Sequence, residues 1–170
     1  MNTTIVVGNP KPRSRTASAA AQLAKAFAGH DGATLIDVVD LGPALLGWNE
    51  PVVEAAVRRV AESRLVIVAS PTYKATYTGL LKLFLDQFAG GTGMQGVVAL
   101  PLMLGAGPAH AMAPDLLLKP VLVELGATCP APGLYLMERS FEDGAAIQAY
   151  AHRWAPIVHT LLSKEVSHHV

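Results

Sequence analysis

A doubly wound parallel α/β sheet is the fold class this sequence predicts, on three observations. Short apolar, β-branched runs alternate with longer segments of helical period, as expected where helices cover both faces of a parallel sheet. Three of the runs end in small or polar turns that feed directly into a helix, the usual rim of such a sheet. The chain has 170 residues, 51% of them hydrophobic and 15% charged, enough for one domain with a full core and too short for two comfortable ones.

The first strand, Thr4–Val7, runs into the turn Gly8 to Arg13, and Ser14 is a candidate N-cap for an alanine-rich helix over Ser14–Ala28. Thr34–Val38 follows as the second strand and Pro51–Ser63 as the second helix. Leu65–Ala69 is apolar throughout, the mark of a strand buried on both faces. A polar turn from Ser70 separates it from an amphipathic helix over Tyr77–Phe88. Val97–Met103 is the fourth strand, and a turn of small residues leads to a helix over Ala111–Leu125. A weaker strand near Gly133–Met137 and a helix over Phe141–Leu162, open to a break at Pro156, complete the series. Five β-α units in succession give a flavodoxin-like five-stranded sheet of order 2-1-3-4-5. Residues 1–170 read as one domain, with no internal repeat, linker or low-complexity tract.

Two helices have more apolar surface than one buried face requires. In the 77–88 helix, Leu80, Leu81, Phe84, Leu85 and Phe88 form one stripe, and Leu83 adds to the other side. In the 111–125 helix only Lys119 and Glu124 interrupt the apolar residues from Leu116 to Leu125. Subunit contact explains this surplus, so a homodimer or homotetramer built on these two helices is expected; a tightly packed core is the alternative. Pro120 cannot donate to the carbonyl of Leu116, which predicts a kink or a π-type widening in that helix.

Thirteen Lys plus Arg balance thirteen Asp plus Glu, so no global field draws the protein to nucleic acid or to an anionic membrane. No run approaches the ~18–20 apolar residues of a membrane span. The start, Met1 to Thr4 leading straight into a strand, lacks the features of a signal peptide, and a cytoplasmic location is expected. The single cysteine, Cys129, has no second thiol and no local base, which favours a structural residue over a catalytic one. His30, His152, His159, His168 and His169 show no metal spacing, and no G-x-S-x-G elbow occurs. Hydrolysis and metal chemistry are disfavoured.

Three turns carry the candidate chemistry. In the first, Gly8-Asn9-Pro10-Lys11-Pro12-Arg13-Ser14-Arg15-Thr16, the N–H groups of a helix start join the hydroxyls of Ser14 and Thr16 and the charges of Lys11, Arg13 and Arg15. Neither the dinucleotide fingerprint nor the P-loop pattern is present, so a single monophosphate ester fits better than a pyrophosphate. In the second, Ser70-Pro71-Thr72-Tyr73-Lys74, backbone amides can run edge-on against a heterocycle, with Tyr73 and Tyr77 offering flat faces. The third, Leu104-Gly105-Ala106-Gly107-Pro108-Ala109-His110, lets a ligand lie close to the backbone. His110 stands there as either a ligand contact or a structural residue.

Together these turns resemble the NADPH-dependent FMN reductase family, particularly reductases that supply reduced flavin to two-component monooxygenases such as those acting on alkanesulfonates. Ser14-Arg15-Thr16, Ser70 to Lys74 with Gly79-Leu80-Leu81-Lys82, and Gly105 to His110 followed by Leu118 to Leu122 carry the likeness across nearly the whole chain. The resemblance implies that Ser14, Arg15 and Thr16 hold the FMN phosphate, and that Pro71 to Lys74 and Gly105 to Gly107 flank the isoalloxazine. It implies hydride transfer from NADPH or NADH to FMN, a monooxygenase partner and an oligomer. Many relatives begin the first turn Gly-Ser-x-Arg; here Asn9 retains an amide donor and Lys11 a point charge for phosphate. A quinone or azo-dye reductase with retained FMN, or a flavodoxin-like electron carrier, remains as an alternative reading.

Overall fold

The computed structural model describes residues 2–163; His168 and His169 lie outside the described residues. Five parallel strands, β1 (Thr3–Val7), β2 (Thr34–Asp37), β3 (Leu65–Pro71), β4 (Val98–Gly105) and β5 (Leu134–Met137), form one sheet in the order β2-β1-β3-β4-β5. The expected class and strand order are both observed. Alternation divides the strand residues between two cores. Ile5, Val7, Leu65, Ile67, Leu100 and Leu102 face α1 (Arg15–Ala28) and α5 (Ala145–Ser163). Val6, Val66, Val68, Ala99 and Met103 face α2 (Pro51–Ala61), α3 (Gly79–Leu85) and α4 (Lys119–Glu124).

The helices differ from expectation mainly at their ends. α1 begins where the sequence places it, with Ser14 accepting from the Ala17 N–H at 3.3 Å. α3 is only 7 residues long because the Thr78 side chain caps it by accepting from the Leu81 N–H at 3.1 Å, which leaves Tyr77 in the preceding turn. The expected long last helix breaks at Gly144, φ 71°, between a 3-10 turn (Phe141–Asp143) and α5. It runs on through Pro156, the position the sequence left open to a break.

Before α4, residues Pro114–Leu118 form a π-helix. Pro120 removes the donor that the Leu116 carbonyl would have received, and the widened turn re-registers the ladder so that Lys119 N–H reaches the Pro114 carbonyl. A 3-10 segment over Val38–Leu46, interrupted at Gly42 (φ 55°), was not anticipated. It packs Val38 and Leu45 into the α2–α4 core. Among the described residues, no helix is long and apolar enough to cross a membrane.

Candidate active site at the carboxyl rim

β1 and β3 are neighbours whose following helices, α1 and α3, cover opposite faces. Their carboxyl ends are therefore the switch point where an open α/β sheet takes its ligand. The first two turns are tied together there. The Gly8 N–H donates to the Ala69 carbonyl at 2.8 Å, and the Thr78 hydroxyl donates to the Gly8 carbonyl at 2.5 Å. A Cβ on Gly8 would lie 2.3 Å from Leu81 Cβ, so glycine is what lets α3 close against the turn.

Inside the first turn, Asn9 is buried and both ends of its amide are engaged. It donates to Thr16 Oγ1 at 3.0 Å and accepts from the Lys11 N–H at 2.9 Å. Asn9, expected as a donor to ligand, ties the turn to the helix start with one of its two amide N–H groups. Thr16 keeps its own hydroxyl proton for donation. The N–H groups of Arg15 and Thr16, in the first turn of α1, have no intrahelical acceptor. Lys11 and Arg13 are exposed, and the Arg15 guanidinium lies 3.0 Å from the Glu138 carboxylate beyond β5.

In the second turn, Ser70 donates to the Pro71 carbonyl at 2.8 Å and accepts from the Thr78 N–H at 3.1 Å. The Thr72 N–H donates to Leu104 at 2.7 Å, which docks this turn on the third. Tyr73 and Thr76 exchange N–H···O bonds of 2.9 and 3.2 Å. Between them Lys74 and Ala75 have φ of 50° and 73°, the signs of a type I′ turn. Neither is glycine, so the turn is held under strain at the rim. Tyr73 is 50% exposed at its base, whereas Tyr77 packs partly into the α2–α4 core.

The third turn starts later than expected, because β4 continues through Gly105. A Cβ on Gly105 would lie 1.8 Å from Tyr135 Oη. With hydrogen there instead, the tyrosine hydroxyl donates to the Gly107 carbonyl at 2.7 Å. The Glu138 N–H donates to the Gly105 carbonyl at 3.0 Å. Thr72 Oγ1, 3.3 Å from that same Cβ position, is buried without a hydrogen-bond partner. Ala106 and Pro108 to His110 are exposed, the last three forming a 3-10 turn.

Tyr135 and Glu138 escaped the sequence reading because no local motif marks them. Cys129 lies away from these turns, and burial lifts its thiol to about 11 despite the opposing pull of Lys119, so it stays protonated at neutral pH. Among the described residues, no group of three or more His, Cys, Asp or Glu gathers as a metal site.

The rim thus sets the capped start of α1 beside the Tyr73–Thr76 turn and the Gly105–Gly107 segment. The NADPH-dependent FMN reductase family model matches residues 1–142. The chain belongs to this family. It is 35% identical to the FMN reductase (NADPH) of Escherichia coli strain K12 over 106 residues, 62% of this chain and 52% of that protein. The chain thus spans about half the length of that relative. Against the NADH-dependent FMN reductase SfnF of Pseudomonas fluorescens strain Pf0-1 it is 31% identical over 134 residues, 72% of this chain and 70% of the relative. The apo form of an NADH:FMN oxidoreductase superposes with a TM-score of 0.85 at 33% identity, covering 98% of this chain and 92% of that one. An oxidoreductase from Corynebacterium diphtheriae, 23% identical with a TM-score of 0.83, shares the fold.

Proposed function

We propose that this FMN reductase family member oxidises NADPH or NADH and reduces FMN at the carboxyl rim. One observation carries the reading: the hydrogen bonds among the three turns set the α1 start, the strained Tyr73–Thr76 turn and the Gly105–Gly107 slot side by side. The residues fit FMN. A monophosphate suits the unpaired N–H groups of Arg15 and Thr16 with Arg15 beside them. A ring edge suits the backbone from Gly105 to Gly107, against which Tyr135 packs and beside which the buried Thr72 hydroxyl lacks a partner.

When bound, FMN supplies the redox chemistry, taking up a hydride from the reduced nicotinamide. The chain's part is positional. Ser14, Arg15 and Thr16 hold the phosphate; Pro71 to Lys74 and Gly105 to Gly107 hold the ring with backbone atoms; Asn9 and Lys11 set the turn. Tyr73 offers an aromatic face, and the exposed His110 ends the 3-10 turn that follows Gly107. No side chain has to move a proton, since alignment of the two rings supplies most of the rate.

The exposed rim also suits a flavin that leaves after reduction, so we assign delivery of reduced FMN to a partner monooxygenase as the physiological role. A homodimer or homotetramer belongs to the same reading. Met112, Leu116, Leu117 and Val123 present an exposed apolar face on the segment that the π-helix joins to α4, large side chains that a second subunit would cover. A cytoplasmic location follows from the supply of reduced nicotinamide.

The test is the rate of absorbance loss at 340 nm with NADPH or NADH, with and without added FMN. Oxidation that rises with FMN is expected. Absence of turnover with both nucleotides and of any flavin binding would refute the reading, whereas a ping-pong pattern on quinones with flavin retained through gel filtration would redirect it.

A further inference from the structure

Arg13 stands immediately before the Ser14 cap with φ 48°, a left-handed backbone that residues other than glycine adopt only when something holds them. The holder is Asp37. Its Oδ2 accepts from the Arg13 N–H at 2.8 Å, across 24 residues of sequence. Asp37 ends β2 and is in register with Val7, the residue from which the first turn departs. It is 7% exposed, and its other oxygen, Oδ1, is buried with no hydrogen-bond partner. Burial raises the pKa of this carboxyl, with Asp40 adding to the rise and Arg13 opposing it. A buried acid with one unsatisfied oxygen destabilises the fold, so a return elsewhere is expected of it.

We propose that Asp37 is a positioning residue for the phosphate cradle: by holding Arg13 left-handed, it aims the Ser14 cap and the first-turn N–H groups of α1 at the flavin phosphate. This rests on the FMN reading above. The carboxylate touches no ligand and acts through the Arg13 backbone. Its effect is therefore confined to the phosphate end, and it vanishes once the left-handed conformation needs no holder.

Both consequences are measurable by quenching of flavin fluorescence, with FMN and with riboflavin, which lacks the phosphate. Asp37→Ala is expected to weaken FMN about tenfold, as for one lost positioning hydrogen bond, with riboflavin held within about twofold. Asp37→Asn keeps an acceptor for the Arg13 N–H and is expected to keep FMN affinity. Arg13→Gly adopts the conformation without strain. In that background, adding Asp37→Ala is expected to change FMN affinity by less than about twofold, the sign of coupling between the two positions. This pair also serves if Asp37→Ala alone fails to fold. Equal losses for both flavins, unchanged FMN affinity in Asp37→Ala, or a full tenfold loss in the Arg13→Gly background would overturn the inference and leave the FMN reading intact. A wild-type protein that binds neither flavin would overturn both.

Discussion

The two ends of the rim are built on opposite principles. At the end proposed for the phosphate, side chains hold the backbone: Asn9 and Asp37 fix the first turn through hydrogen bonds of 2.8 to 3.0 Å, and Ser14 caps the helix behind it. At the end proposed for the ring, the backbone itself is the surface, shaped by the close approach of Tyr135 to Gly105 and by left-handed residues at Lys74 and Ala75. Charge recognises a phosphate from a distance and tolerates small displacements. A planar ring needs a flat slot, which a single added methyl can close. Damage at the phosphate end should therefore be graded and specific to FMN, whereas damage at the ring end should be steep and blind to the phosphate.

The steepest test is Gly105→Ala. Its Cβ would overlap Tyr135 Oη, so the tyrosine must shift and give up its bond to Gly107. Overpacking costs about 1–3 kcal/mol and the lost hydrogen bond about 1. That cost falls on stability, so Tm should drop, while affinity for FMN and riboflavin should fall together and to the same extent as the Gly105–Gly107 backbone is displaced. Calorimetric titration with both flavins checks it; a loss confined to FMN would erase the distinction between the ends.

Arg15→Ala tests the other end. A charge-assisted contact contributes about 1.5–3 kcal/mol, reduced here because the guanidinium is exposed and must exchange Glu138 for phosphate. FMN affinity should fall by about 3- to 10-fold, and riboflavin affinity should hold. Unchanged FMN binding would remove Arg15 from the site.

How much of this was legible in the sequence follows the same division. The strands were readable because runs such as Leu65–Ala69 are apolar at every position, and the turns because their glycines, prolines and hydroxyls punctuate strand and helix. Pro120 announced its π-helix through a missing donor. The 3-10 segment over Val38–Leu46 escaped because its apolar residues, broken by Gly42 and Pro43, follow no single period. Asp37, Tyr135 and Glu138 were invisible for a stronger reason. Asp37 ends β2, Tyr135 lies within β5 and Glu138 directly follows it, and only parallel register brings these distant segments to the rim.

Ala75→Gly asks whether strain at the ring end does anything. Glycine adopts φ 73° freely, and relief of about 1 kcal/mol, partly offset by greater freedom in the unfolded chain, should raise Tm by about 1–3 °C. Both flavins should bind about 2- to 3-fold more weakly through a looser slot, as stability and site geometry trade against each other. A gain in Tm with no loss of either flavin would make the Tyr73–Thr76 turn a bystander.

The smallest effect belongs to the phosphate end and shows in stability as a function of pH. Asp37 is held above the ordinary carboxylate pKa, first by burial and then by Asp40, against the Arg13 N–H bond and the Arg13 charge. A raised folded-state pKa contributes stability that is present below the unfolded value and is lost as pH rises through the folded one. At neutral pH the ionised carboxylate therefore weakens the fold, a penalty that Asp37→Asn removes while keeping an acceptor for Arg13. Urea unfolding should find the Asn variant more stable than wild type at pH 7, with the gap narrowing as pH falls toward the ordinary carboxylate range. A gap that is constant with pH, or that widens on acidification, would show that charge is not what Asp37 costs the fold. It would also separate the two properties of that side chain, since the acceptor aims the phosphate turn whether or not the oxygen beside it carries charge.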